Sequence, residues 1–182
     1  LGPILSFTPV ILPLLVIPFS EKLQARDLHL GLLFIVSMTS INVMAILVAG
    51  WGSNNKYSMF GAMRAVAQSI AYEIPILLSM LAVILMTNTF SLKEIVGAQQ
   101  NIWFIVLQPL AFIIYIISGV AETNRAPFDL PEAESELTAG FHTEYSGMGF
   151  SLFFLGEYTN MFTVAAVATV LFLGGWHGPP LP

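Results

Sequence analysis

The chain has 182 residues, of which 56% are hydrophobic and only 9% charged, with 14 Phe, 8 Met, no Cys and a net charge of −5. The mean hydropathy is +0.80. A soluble domain of this size could not bury so much apolar surface, so the bilayer must be its solvent. Without Cys, thiolate-bound iron–sulfur clusters, Cys-type zinc sites and disulfides are excluded within the chain. His29, His142 and His177 are too scattered in sequence to suggest a metal site, and the negative charge argues against nucleic acid as a partner.

Five apolar runs are long enough to cross a bilayer, which takes about 20 helical residues. They cover approximately 3–19, 30–50, 63–86, 102–121 and 148–174. The first is short and carries Pro9, Pro13 and Pro18; its start has no basic segment and no small-residue cleavage site to mark a secretory signal. The third contains Glu73 and Pro75, the fourth Pro109, and the fifth Glu157. Continuous apolar runs suit helices rather than barrel strands, because backbone groups in lipid must be satisfied within the segment. Pro75 and Pro109 predict kinks or local breaks in the hydrogen-bond ladder. The expected fold is an all-α polytopic membrane protein of about five transmembrane helices, a single transmembrane domain over 1–182. A long acidic loop, 122–147, separates the fourth helix from the fifth. A first residue of Leu1 rather than Met suggests a processed product or a fragment.

Alternation of the spans places the connections 51–62 and 122–147 on one membrane face and the other two on the opposite face. Lys22, Arg26 and Lys93 on one side then balance Lys56, Arg64 and Arg125 on the other, so positive-inside counting leaves the orientation open. Trp51, Trp103 and Trp176 fall at segment ends, where an aromatic belt is expected.

Most of the charge is gathered in one place. The stretch 121–146, AETNRAPFDLPEAESELTAGFHTEYS, holds six of the eleven acids, Glu122, Asp129, Glu132, Glu134, Glu136 and Glu144, with Arg125 as the one base among them. Pro127 and Pro131 interrupt it, and a short helix over 132–137 is expected after Pro131. Phe128, Leu130 and Leu137 woven between the charges suit a segment folded against protein rather than a solvated loop. Arg64 marks the start of the third run, and Glu73 lies nine residues further, roughly 13 Å deeper. Glu157 lies about ten residues into the fifth run, at a similar depth. A ladder is therefore expected from the loop face inward, with Glu122 and Glu144 near the surface and Glu157 and Glu73 within. Ionisable groups inside a membrane mark ion or proton paths, although each Glu could also be a polar packing residue satisfied by a neighbour. Phe150, Phe153 and Phe154 read first as packing residues.

At these residues the chain resembles a known family. AETNRAPFDLPEAESELTAGFHTEYSG followed by FFLGEYTN, and the earlier GWGSNNKYSMFGAMRAVAQSIAYEIP, are similar to the two signatures of the quinone-site membrane subunit of respiratory complex I, known as subunit 1 in mitochondria and as the H subunit in bacteria. The likeness runs from GLLFIVSM through LFLGGWHGP. It implies a membrane subunit of proton-pumping NADH:quinone oxidoreductase, part of an enzyme without a complete active site in this chain alone. Such a subunit lies in the bacterial inner membrane or the mitochondrial inner membrane and turns the loops 51–62 and 122–147 toward the peripheral arm. Its partners are the peripheral-arm quinone-module subunits and the adjacent membrane-arm subunits, and quinone is its substrate. FMN and iron–sulfur clusters belong to the partner subunits, so no cofactor and no metal is expected here. Carried over by motif, Glu73, Glu122, Glu144 and Glu157 resemble the family's proton path. Arg64, Arg125, Asp129, Glu132, Glu134, Glu136 and Phe154 resemble positions of its quinone cavity and coupling loop.

Family members normally carry a further N-terminal helix with a basic surface segment, and helices beyond the last one here. The chain is thus similar to the central part of the family sequence, and the residues named cannot be the whole quinone site. Two rivals stand beside this reading. One is the equivalent subunit of a ferredoxin-dependent or hydrogenase-type energy-converting complex, which co-purification with an NADH-oxidising flavin subunit separates. The other is a stand-alone permease, which a native gel separates by assembly size.

Overall fold

In the computed structural model, residues 2–129 and 144–177 are described, and among them the ordered elements are all helical. The chain opens with α1 (Gly2–Ile11), which runs into a single 3₁₀ turn (Leu12–Leu15). There follow α2 (Gly31–Gly52), α3 (Lys56–Thr87), the short α4 (Leu92–Ala98) and α5 (Phe104–Leu107), then α6 (Pro109–Glu122) and α7 (Gly147–Phe172). Three of these, α2, α3 and α7, are long and apolar enough to cross a membrane; α1 with its 3₁₀ extension and α6 are shorter apolar helices. The chain is a polytopic, all-α membrane protein. The short helix expected over 132–137, with Glu132, Glu134 and Glu136, lies outside the described residues.

Two boundaries differ from the sequence expectation, and both matter for the acids. α3 begins at Lys56, not near Met63, because Asn55 caps it: the Tyr57 backbone N–H donates to the Asn55 side chain at 3.0 Å. At 32 residues α3 is about 48 Å long, more than the ~30 Å of hydrocarbon it must cross. It passes through Pro75 as one continuous helix. The fourth run, by contrast, is broken. Gln108 leaves helical geometry (φ −134°, ψ 59°) and Pro109 opens a new helix at its first position, where a missing N–H does no harm. The Gln108 side chain donates to the Ala82 carbonyl of α3 at 3.0 Å and so anchors the break. α6 is left with 14 residues, roughly 21 Å. It therefore ends inside the molecule rather than at the membrane face.

The helices pack tightly where small residues let backbones approach. A Cβ at Gly50 would fall 2.3 Å from Ala62 Cβ where α2 meets α3, and one at Gly119 would fall 2.6 Å from Val164 Cγ1 where α6 meets α7. Apolar side chains form two clusters. The larger gathers Leu32, Ile76, Val83, Ile95, Tyr115 and Leu171 with their neighbours. The smaller, toward the N-terminal ends of α3 and α7, comprises Ile46, Ala49, Ala62, Ala65 and Phe153. Polar side chains lie between the two. The outer surface is apolar: Met44, Ile70, Leu78, Leu85, Leu110 and Ile113 are all more than half exposed, as a lipid-facing surface requires.

Gln99, only 1% exposed, ties the α4–α5 connection to the end of α7. Its Nε2 donates to the Val170 carbonyl (2.8 Å) and more weakly to that of Ile95 (3.3 Å), while its Oε1 accepts from the N–H groups of Gly174 (3.0 Å) and Phe104 (3.4 Å). Gln99→Leu keeps the volume but strands these buried groups. A loss on the order of 3 kcal/mol is expected, since each orphaned group costs about 1–3 kcal/mol. Thermal unfolding in detergent checks this; an unchanged melting temperature would show that water replaces the amide.

Candidate functional site

Two cavities lie in the polar layer, stacked along the helix axes. The larger, about 50 Å³, is walled by α1 (Ser6), α2 (Thr39, Asn42), α3 (Ser69), the end of α6 (Glu122, Asn124) and α7 (Glu157, Asn160). The smaller, about 20 Å³, lies one to two turns deeper, between Glu73 and Met80 of α3, Tyr115 and Glu122 of α6, and Thr163 of α7. Thr39 and Glu122 line both. A single water needs about 10–15 Å³ of such space and polar partners, so the upper cavity has room for several and the lower for about one.

Each wall follows from local sequence. On α7, Glu157, Asn160 and Thr163 recur every third residue and so form one polar stripe down an otherwise apolar helix. On α3, Ser69 and Glu73 are four apart and share a face. Glu73 accepts from the Ser40 hydroxyl of α2, and Ser6 of α1 donates to Asn42 Oδ1 at 3.0 Å. Tyr115 is almost fully buried, and its hydroxyl donates to the Val164 carbonyl at 3.1 Å.

The end of α6 sets the position of Glu122. Asn124 adopts a left-handed conformation (φ 51°), with the Asn124 N–H on Ala121 O at 3.2 Å and the Arg125 N–H on Val120 O at 3.3 Å. This is a Schellman C-cap with Asn in the place usually taken by Gly. The chain that leaves it is held against α3 by Gln68. Its Nε2 donates to the carbonyls of Ala121 and Phe128, both at 2.8 Å, with Asn124 Oδ1 at 3.2 Å. Irregular backbone at membrane depth is tolerated only where it is satisfied by protein or lines a cavity, and here both hold. Phe128 packs edge-on against Tyr72, with ring centroids 5.3 Å apart. Arg125 turns back toward α7: its Nη2 lies 3.4 Å from Glu157 Oε2, and its guanidinium sits 4.9 Å from the centroid of the Tyr158 ring. At that separation the gross attraction is about 5 kcal/mol for an effective dielectric of 20.

The structure thus brings Glu73, Glu122, Glu157 and Arg125 together. It does not keep the expected order of depth. Glu122 is not near the surface; it shares the lower cavity with Glu73 because α6 stops short. Glu73 itself lies 17 residues into α3, and Glu157 is level with Ser69, about one turn above Glu73. Glu144 stands apart. It is exposed at the start of α7, where Asn55 Nδ2 donates to its Oε1 at 2.7 Å. Beside it the Tyr145 hydroxyl donates to the Ala49 carbonyl at 3.1 Å. Arg64 is exposed on α3, and Asp129 is exposed at the last residue before the segment outside the description. Phe154 is 40% exposed and packs, with tilted rings, between Phe150 and Tyr158 on the outer face of α7. Thr39, Asn42, Gln68, Ser69, Tyr115, Asn160 and Thr163 were not singled out from the sequence. Their signal was present as polar residues at helical spacing within apolar runs.

The Arg125–Glu157 pair makes its own prediction. Arg125→Met leaves a largely buried carboxylate without its cation, whereas Arg125→Met with Glu157→Gln removes both charges. The single variant is expected to be less stable than the double, with a coupling in the range of about 0.5–3 kcal/mol. A double-mutant cycle on thermal unfolding measures it; a coupling of zero would mean that water already screens the pair.

The chain matches the NADH dehydrogenase family over residues 1–181. It is 54% identical over 181 residues to the H subunit of the NADH-quinone oxidoreductase of Dehalococcoides mccartyi (strain CBDB1), an alignment covering 100% of this chain and 51% of that protein. It is 50% identical over 177 residues to the corresponding H subunit of Geobacillus sp. (strain WCH70), covering 97% of this chain and 53% of the other. With that of Anoxybacillus flavithermus (strain DSM 21510 / WK1) it shares 49% identity over 182 residues, 100% of this chain and 54% of the relative. The chain spans about half the length of these curated relatives. With a profile match over nearly every residue and identities near one half, the chain belongs to the NADH dehydrogenase family.

Proposed function

We propose that this chain serves in a proton-pumping NADH:quinone oxidoreductase, where it walls part of the quinone cavity and carries the acidic path that couples quinone reduction to proton translocation. The naming of its relatives supports the assembly. The geometry supports the path, and one observation carries it: Glu122 is the one carboxyl among the described residues that lines both cavities. A proton passing between Glu157 and Glu73 through these cavities meets Glu122 on the way. Water in the upper cavity spans Glu157 to Glu122, and about one water in the lower spans Glu122 to Glu73.

Charge created when quinone is reduced beside the loop acids acts on this chain of groups. Coulomb coupling at about 4 Å is worth around 4 kcal/mol at an effective dielectric of 20, enough to move a proton from one carboxyl to the next. Asp129, Glu132, Glu134, Glu136, Arg64 and Phe154 belong, in this reading, to the quinone cavity and its coupling loop. Arg125 connects that loop to the path through Glu157. Glu144, at the exposed start of α7, serves as an acid of the surface end. The enzyme's other subunits supply FMN and iron–sulfur clusters, and the assembly lies in a bacterial inner membrane or the mitochondrial inner membrane.

Glu122→Gln keeps the shape of the side chain and removes its exchangeable proton. In membrane vesicles carrying the assembly, quinone-coupled acidification is expected to fall on the order of 100-fold, the scale lost with a positioned proton donor. Glu94→Gln, on α4 and bonded to Thr89 outside both cavities, serves as the control and retains pumping. Normal acidification by Glu122→Gln would remove this residue from the path and the path with it.

A further inference from the structure

We propose that the upper cavity is a binding site for a sodium ion, held by side-chain oxygens of α2, α3, α6 and α7. This goes beyond the proton path, since it assigns the cavity an occupant other than water and protons.

The first observation is a wall with two carboxyls and one base. Two carboxyls, Glu122 and Glu157, stand in the wall. Arg125 answers Glu157 at 3.4 Å. No base and no hydrogen-bond donor among the described residues meets the Glu122 carboxyl, and the nearby Glu73 adds charge of the same sign. A charge taken out of water must be paired, coordinated or neutralised. Once ionised, Glu122 would supply one charge that no protein cation answers, which matches a monovalent ion; calcium and magnesium draw on more anionic or more rigid oxygen cages.

A second, independent observation points to a ligand. Asn160 is 9% exposed and Ser69 3% exposed; both line the cavity, and neither side chain has a hydrogen-bond partner among the described residues. Buried polar groups are nearly always satisfied, so these two are placed to meet something inside the cavity. Their oxygens are hard donors of the type sodium takes. Thr39 adds a third: its hydroxyl proton goes to the Val36 carbonyl at 2.9 Å, which leaves its oxygen as an acceptor. The negative end of the α6 dipole, which stops at Glu122, adds to the attraction, in the way that broken membrane helices present their C-terminal ends to cations. About 50 Å³ accommodates one such ion with a water or two.

The test is equilibrium binding of ²²Na⁺ to the solubilised, intact assembly containing this chain, with choline chloride holding the ionic strength and with neither NADH nor quinone present. Saturable binding is expected, weakened tenfold or more by Asn160→Leu and by Ser69→Ala. Ser69→Ala removes one oxygen with little change in volume, so it decides the matter if Asn160→Leu fails to assemble. No saturable binding in the unmodified assembly, or an isotherm that Ser69→Ala leaves unchanged, would overturn the proposal and leave water as the occupant. The measurement involves no turnover, so its failure leaves the proton path standing, and normal pumping by Glu122→Gln leaves the sodium site standing.

Discussion

A carboxylate held away from bulk water needs a partner, and the placement of partners around Glu73, Glu122 and Glu157 organises the centre of this protein. Each acid is answered differently. Glu73 takes a hydroxyl from Ser40 on the adjacent helix. Glu157 takes a guanidinium from the segment that follows α6. Glu122 takes neither, and faces the two cavities.

The apolar framework serves this polar layer. One cluster closes it off below, around Ile76, Tyr115 and Leu171, and a smaller one above, around Ala49, Ala62 and Phe153. Close helix crossings at Gly50 and Gly119 hold the walls in register. The break at Gln108–Pro109 shortens α6, and the Asn124 cap with the Gln68 clamp turns the chain back within the membrane depth. A helix end is thereby brought to the middle of the molecule, where its dipole and its last side chain act on the cavities. In transporters, discontinuous helices place their ends beside substrate and ion sites in the same way.

Coupling between the loop and the membrane interior needs a contiguous physical connection. The described residues contain one. Phe128 rests on Tyr72 one residue before Glu73, Gln68 grips the carbonyls of Ala121 and Phe128, and Arg125 reaches Glu157. The segment after α6 thus contacts the surroundings of all three acids.

The membrane class was legible in the sequence, because hydropathy is a sum over neighbouring residues and needs no knowledge of the fold. The same is true of the long runs that became α2, α3 and α7, and of Glu157 lying ten residues inside the last of them. The break at Pro109 was also legible, since proline acts locally. Its consequence was not. A run of twenty apolar residues reads as a full crossing that ends at the surface, yet splitting it stops α6 within the molecule and carries Glu122 down to the level of Glu73. Nor could the sequence show that Arg125 answers Glu157, that Glu144 turns to Asn55, or that Ser6, Thr39, Ser69 and Asn160 wall one cavity. These residues lie tens of residues apart, and only the register between packed helices decides which polar groups meet.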